Sequence, residues 1–393
     1  MNVLFFTEAR LCQTAEDRYY SADQSFSYQM FKRYLSVFDK VSVVARTSNG
    51  SPDLVSENTR VDNDGVEVLS LPYYIGPYQY LRIRNKLTRT LRRYIDSYPD
   101  AAVICRVPGT IGTAAARHLT QKNRSYGVEV VGDPLDVFAP GSFSHPLRPV
   151  FRYVSAKDLK TVVKGAAASI YVTKASLQKR YPPFENRFST YASDVMLPPE
   201  AYAASAKKLE SSPPYSLIAI GTLDAMYKSP DVAIEAMVLL KKKGLGVTLQ
   251  WVGNGRYRDA MIARAQEAGV ADRVNFVGNV DSAQDVRGYL DSADLFILPS
   301  RTEGLPRAMV EAMARGLPCI GTRIGGIPEL LDESALVPVN DPRSLAEKIA
   351  VFLTTPGLAD AQASRNLKEA HSYAFELLEA KRKDFYHYLK SIS

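Results

Sequence analysis

Glu303 and Glu311 are the residues whose type and spacing point most directly to binding chemistry. Between them lies Pro306, which suits the first turn of a helix. A helix starting there would run through Arg315 and stop at Gly316. Glu303 would then sit in the preceding loop and Glu311 about one turn into the helix. Helical side chains lean toward the N-terminus, so both carboxylates can face the mouth of a cleft. The same helix start offers free N–H groups and a positive dipole end, a natural seat for phosphate. Carboxylates repel phosphate, so their own partners would be hydroxyl groups, as on a sugar or a ribose. Without further support, a loop glutamate and a helix-surface glutamate would be the plain reading.

Two other segments supply that support. Gly325-Gly326-Ile327-Pro328-Glu329 pairs glycines with a proline at a helix start and lets backbone approach a ligand closely. Upstream, Gly221-Thr222 ends a strand, and Ser229-Pro230 opens a helix that Ser229 can cap. Lys228, just before that cap, could meet a phosphate. A lone lysine there is more often simply solvated.

The elements that must hold these groups read as apolar strands alternating with amphipathic helices. Strands are expected over 3–6, 41–45, 66–71, 102–106, 128–131 and 169–172, then over 217–220, 248–252, 274–277, 295–298 and 318–321. The alternation argues for an α/β protein with two doubly wound, mostly parallel domains. Prolines at 198–199 and the run Ser211-Ser212-Pro213-Pro214 stiffen the connection. The expected division is 1–198 for one domain, 199–370 for the other, and 371–393 for a helix crossing back to the first. Open sheets of this kind bind ligands beyond the carboxyl ends of their strands, so the cleft between the domains would form the active site.

Taken in order, these motifs resemble those of retaining glycosyltransferases of family 4, which have the GT-B fold of two facing Rossmann-like domains. The resemblance covers 215–345 well and the first half only in outline. It rests on Glu303 and Glu311 in the phrase Glu-Gly-Leu-Pro, followed by Glu311-Ala312-Met313-Ala314-Arg315-Gly316-Leu317-Pro318 and by Gly325-Gly326-Ile327-Pro328-Glu329. It implies a sugar transferred from a nucleotide-sugar donor to a glycan or lipid-linked glycan, as in surface polysaccharide biosynthesis. Glu303 would hold the transferred sugar, Glu311 the ribose hydroxyls, and Lys228 the donor pyrophosphate. Gly304, Leu305 and Arg307 would make backbone contacts to sugar and phosphate, and Val280 one to the base. Asp133 falls near the position of a histidine beside the sugar, although a loop cap is as natural a role for it. The family's arginine after the first donor-domain strand is replaced by Thr222, so Arg301, Arg307 or Arg323 would supply that cation. The loop after the first strand also lacks the usual glycine pair.

The remaining features bound the function. No metal-ligand spacing occurs among the four histidines and three cysteines, and no metal or other cofactor is expected. GxGxxG is absent after the first strand, where Thr7-Glu8-Ala9-Arg10 stands, which argues against a dinucleotide-dependent oxidoreductase. A nucleotide-sugar epimerase or hydrolase on the same fold, or a non-catalytic sugar- or nucleotide-binding protein, remain the rival readings. The net charge of +7 favours anionic partners, but no nucleic-acid-binding signature accompanies it. No apolar run approaches the ~18 residues that span a bilayer, and the start reads as a strand, so a cytoplasmic protein is expected. The segment 77–95 carries Tyr80, Ile83, Leu87, Leu91 and Tyr94 at helical spacing among Arg82, Arg84, Lys86, Arg89, Arg92 and Arg93. Such a helix either docks on an anionic membrane or is an ordinary helix with a solvated basic face.

Overall fold

The computed structural model describes residues 1–21, 26–50, 59–138, 146–209, 213–280 and 282–393. The chain divides into two compact units, Met1–Gly132 with Val154–Ala192 and Glu379–Ser393, and Asp133–Tyr153 with Ser193–Leu378. The change of unit at 192–193 precedes the prolines at 198–199, where the sequence places it, and Asp133–Tyr153 groups with the second unit. Ser211 and Ser212 lie outside the described residues.

The first unit is built on one sheet. Its strands are β1 (Asn2–Gln13), β2 (Tyr19–Ser21), β3 (Lys40–Asn49), β4 (Val66–Pro72), β5 (Ala102–Val107), β6 (Gly127–Val130), β7 (Ala168–Tyr171) and β8 (Phe188–Tyr191). Their order is β4-β3-β1-β5-β6-β7-β8, all parallel, with β2 antiparallel to β1. Val3, Val41, Val43, Val103, Ile104 and Val128 have no exposed surface, as expected of parallel strands covered on both faces.

β1 corrects the sequence reading. The apolar run ends at Phe6, yet the strand continues to Gln13, with a register shift against β3 between Phe6 and Arg10. The residues taken for a loop are therefore a bulge. Glu8 in it accepts a hydrogen bond from the Ile111 amide at 2.6 Å and so caps the helix Thr110–Gln121.

The second unit carries β9 (Tyr215–Ile220), β10 (Val247–Val252), β11 (Val274–Gly278), β12 (Leu295–Leu298), β13 (Cys319–Thr322) and β14 (Leu336–Val337). They form a parallel sheet in the order β11-β10-β9-β12-β13-β14. Chain order reverses between β9 and β12, and the crevice beyond their carboxyl ends is where such sheets hold ligands. Every strand marked by an apolar run is present. The strands missed are β2, β8 and β14, too short or too exposed to leave an apolar signal.

The chain's last helix, Phe375–Ser391, returns to the first unit. Phe385, Tyr386 and Leu389 are buried there, with Tyr386 against Tyr34 at a ring separation of 4.8 Å. Gly127 leaves the space: a Cβ on it would stand 2.8 Å from the Phe385 ring.

Candidate functional site

Lys228 follows β9 and Glu303 follows β12, so the two side chains come from opposite sides of the point where chain order reverses. They meet: the Lys228 ammonium donates to Glu303 Oε1 at 2.6 Å. Both are nearly enclosed, with side chains 12% and 7% exposed. The Ser300 hydroxyl donates to the same Glu303 oxygen at 2.6 Å, and Ser300 is fully buried. Ser300 went unnoticed in the sequence, although a serine three residues before a loop carboxylate is a recognisable turn device.

Gly221 decides whether Lys228 can reach. A Cβ there would lie 2.8, 3.1 and 3.3 Å from Cγ, Cδ and Cε of Lys228, so the lysine stem passes directly over the glycine. Gly253 and Gly255 tighten the next layer, with φ of +134° and +153° and ideal Cβ positions 2.2 Å from backbone of 221 and of 223–224. Gly221, Gly253, Asn254, Asn279 and Val280 line a cavity of about 470 Å³ at the ends of β9, β10 and β11. Val280 and the glycine beneath Lys228 therefore share one pocket.

The glycine pair 325–326 packs against the chain's own backbone. Gly325, at φ +54°, would place a Cβ 2.0 Å from the Glu303 carbonyl oxygen, and Gly326 one 2.6 Å from that of Gly304. The Gly326 amide donates to the Gly304 carbonyl at 2.7 Å. The pair lets the chain's own backbone close on the Glu303–Gly304 loop and fix it.

The helix after that loop runs Arg307–Ala314, with Pro306 in the cap position rather than in the first turn and no side-chain cap. Its first-turn N–H groups thus lack a side-chain acceptor. Leu305 is buried, Gly304 is half-buried and Arg307 is exposed. Glu311 is half-buried; burial holds its carboxyl above the usual range, and the Arg307 charge opposes that shift.

Two expectations change here. Ser229 does not cap the helix Pro230–Lys242: it adopts φ 58°, ψ 52° and makes no side-chain cap bond. Of the three candidate substitute cations, Arg301 and Arg323 are committed elsewhere. Arg301 grips the Asp231 carboxylate with both terminal nitrogens at 2.9 and 2.7 Å, and reaches Met226 O and Asn340 Oδ1. Its own amide donates to Tyr227 O at 2.7 Å, so it staples the 226–228 turn to the loop that carries Glu303. Arg323 pairs with Glu333 at the surface. The Arg307 side chain makes no hydrogen bond or ion pair with another described residue. Thr222 donates to Asp224 at 3.1 Å. Asp133 is buried and accepts from the Leu135 amide at 2.8 Å, the geometry of a helix cap.

The arrangement is a carboxylate and an ammonium in contact, a glycine-rich pocket, and a helix start beside them. Residues 214–355 match the model of the family Glycosyl transferases group 1. Over 93% of its length the chain is 27% identical to Protein CapJ of Staphylococcus aureus, covering 90% of that protein. It is 36% identical to the amylovoran biosynthesis glycosyltransferase AmsK of Erwinia amylovora over 30% of this chain and 31% of that one. The crystal structure of Anabaena HepE in complex with UDP and glucose superposes with a TM-score of 0.65 at 15% identity, covering 98% of each chain. That likeness shows the fold, GT-B, with two Rossmann-like parallel-sheet domains. The family model and the names of the relatives support a group 1 glycosyltransferase.

Among the described residues, no group of three or more His, Cys, Asp and Glu side chains is placed to hold a metal ion. No described helix is long and apolar enough to cross a membrane. The basic helix spans Gly76–Ser97, with Leu87, Leu91 and Ile95 buried and Arg82, Arg84, Lys86, Arg89, Arg92 and Arg93 exposed. Its first turns add exposed apolar side chains: Ile75, Tyr78 and Leu81 are 53%, 67% and 59% exposed.

Proposed function

We propose that the protein is a retaining glycosyltransferase that moves a sugar from a nucleotide-sugar to a hydroxyl of a glycan or lipid-linked glycan in surface polysaccharide biosynthesis. The observation that carries this reading is the Lys228–Glu303 pair across the reversal point of the second sheet, seated over Gly221. A diphosphate entering beside Lys228 shares its ammonium with Glu303, and that carboxylate then accepts from sugar hydroxyls. Glu311 accepts from the ribose, the backbone at Val280 meets the base, and Gly304, Leu305 and Arg307 contact sugar and phosphate through the chain. HepE, complexed with UDP and glucose, supports a nucleotide-sugar as donor. Asp133, whose side chain accepts from the Leu135 amide, is kept as a carboxylate beside the transferred sugar.

In this mechanism the acceptor hydroxyl approaches the anomeric carbon from the leaving-group side. The bond from that carbon to the phosphate oxygen breaks, the bond to the acceptor oxygen forms, and the acceptor proton passes to the departing phosphate. The protein's work is electrostatic: Lys228 and the helix start at Arg307 stabilise charge as the diphosphate leaves. This chemistry calls for no metal.

We assign the acceptor side to an anionic membrane surface, because the exposed basic row of Gly76–Ser97 ends in the exposed Ile75, Tyr78 and Leu81. The first unit holds more Lys and Arg than Asp and Glu, whereas the second holds slightly fewer.

Steady-state kinetics over a panel of nucleotide-sugars tests the site. Ribose contacts are equal in ground and transition states, so Glu311→Ala should raise the donor KM about 10- to 100-fold. Sugar contacts tighten during transfer, so Glu303→Ala should lower kcat on the order of a hundredfold. Wild-type efficiency in both variants would remove the assignment. Release of free sugar at the same rate with and without acceptor would favour a hydrolase.

A further inference from the structure

Lys228 is already bonded to Glu303, which leaves its ammonium only partly available to a diphosphate. The donors around it are mostly committed: Arg301 to Asp231, Met226 and Asn340, and Thr222 to Asp224. Three side-chain donors next to the pair make no hydrogen bond to another described residue: Arg307, the fully buried hydroxyl of Ser229, and the hydroxyl of Tyr227, the residue before Lys228.

Tyr227 is held in place. Its carbonyl accepts from the Arg301 amide at 2.7 Å, and the carbonyl before it accepts from the Arg301 guanidinium at 2.7 Å. Its ring lies beside the Lys228 ammonium, 5.2 Å from nitrogen to ring centre. The charged groups whose fields reach its hydroxyl are Lys228, Glu303, Arg307 and Asp224, from the turn itself and from the loop and helix opposite. Two of them, Lys228 and Arg307, are the cations assigned to the proposed diphosphate seat. Burial pushes its ionisation up, so it is a neutral donor at physiological pH.

We infer that the Tyr227 hydroxyl donates a hydrogen bond to the diphosphate of the donor and strengthens that bond as the diphosphate leaves. The inference rests on the nucleotide-sugar reading above. A phenol suits the position physically. It adds no cation to compete with Lys228 for Glu303, yet its bond to a phosphate oxygen gains strength as negative charge builds there.

Tyr227→Phe removes one oxygen and keeps the ring, so folding is checked simply by thermal melting. The probes are UDP, GDP, ADP and dTDP, with the matching monophosphates, titrated calorimetrically into the full chain. For whichever diphosphate the wild type binds, Tyr227→Phe should weaken binding about tenfold while leaving the monophosphate within about twofold. With the corresponding nucleotide-sugar, kcat should fall about 10- to 100-fold, the range for a hydrogen bond to a charged group. Equal diphosphate binding and equal kcat in the two proteins would overturn the role of Tyr227 while leaving the donor site standing. Parallel loss of monophosphate and diphosphate binding would overturn it in favour of a structural role. Binding of none of the probes to the wild type would overturn the nucleotide-sugar reading, and this inference with it.

Discussion

Gly221→Ala perturbs Lys228 without replacing any charged residue. The added Cβ would stand 2.8 Å from Lys228 Cγ, with Cδ and Cε at 3.1 and 3.3 Å. Carbon atoms pack at about 3.5–4.0 Å, so the stem must move by roughly 0.7–1.2 Å. That displacement carries the ammonium off a 2.6 Å bond to Glu303 and out of hydrogen-bonding range. A shift of about 1 Å in a positioning group costs about a hundredfold in rate, so kcat/KM should fall about 10- to 100-fold. Stability should change little, because Gly221 needs no left-handed backbone and Ser300 still donates to Glu303. At about 1 kcal/mol or less, Tm should drop by no more than about 4 °C. Gly253→Ala is the control, since its Cβ would strike the Gly221 carbonyl at 2.2 Å and its φ is +134°. That variant should lose far more Tm, because backbone must move. Assay of transfer alongside thermal melts decides. Wild-type kcat/KM in Gly221→Ala, or a Tm loss as large as that of Gly253→Ala, would refute the reasoning.

Glu311 gives a pH dependence. A carboxyl held above its unfolded range favours the fold while protonated and loses that advantage as pH rises through the raised value. Glu311→Gln should therefore melt higher than wild type at neutral pH and lose the difference in acid; melts across pH check this. Wild-type donor binding should weaken in acid at a pH above the ordinary glutamate value of about 4.3, and calorimetry of donor binding reads that limb. Transfer should survive EDTA; complete loss restored by magnesium or manganese would sink the metal-free mechanism. Liposome flotation should show salt-sensitive binding to anionic but not neutral vesicles. It should weaken in the folded Arg89, Arg92 and Arg93→Gln triple variant, each charge near the surface contributing ~1 kcal/mol. Tyr78→Ser with Leu81→Ser should weaken it as well, and equal flotation on neutral lipid would leave the helix as a solvated face.

The sequence by itself determined the two parallel sheets and marked the strand ends and helix starts of the second, where Lys228, Glu303 and Glu311 lie. Buried parallel strands are continuous apolar runs, and helix starts carry proline and glycine at fixed offsets, so both signals are local. Tertiary structure decided which of those residues act on one another. Nothing in the chain order says that Lys228 and Glu303 touch, because their contact depends on β9 and β12 being neighbours across a reversal of strand order. For the same reason the sequence leaves Arg301 one of three alternatives with Arg307 and Arg323. Its partners Asp231, Met226 and Asn340 are remote in sequence, and only packing shows that it clamps the turn. The glycines at 325–326 mark, in the sequence, a place of close backbone approach without saying to what. They are space for the chain's own carbonyls, a distinction that composition cannot carry, because glycine permits any close approach and only the fold selects what approaches.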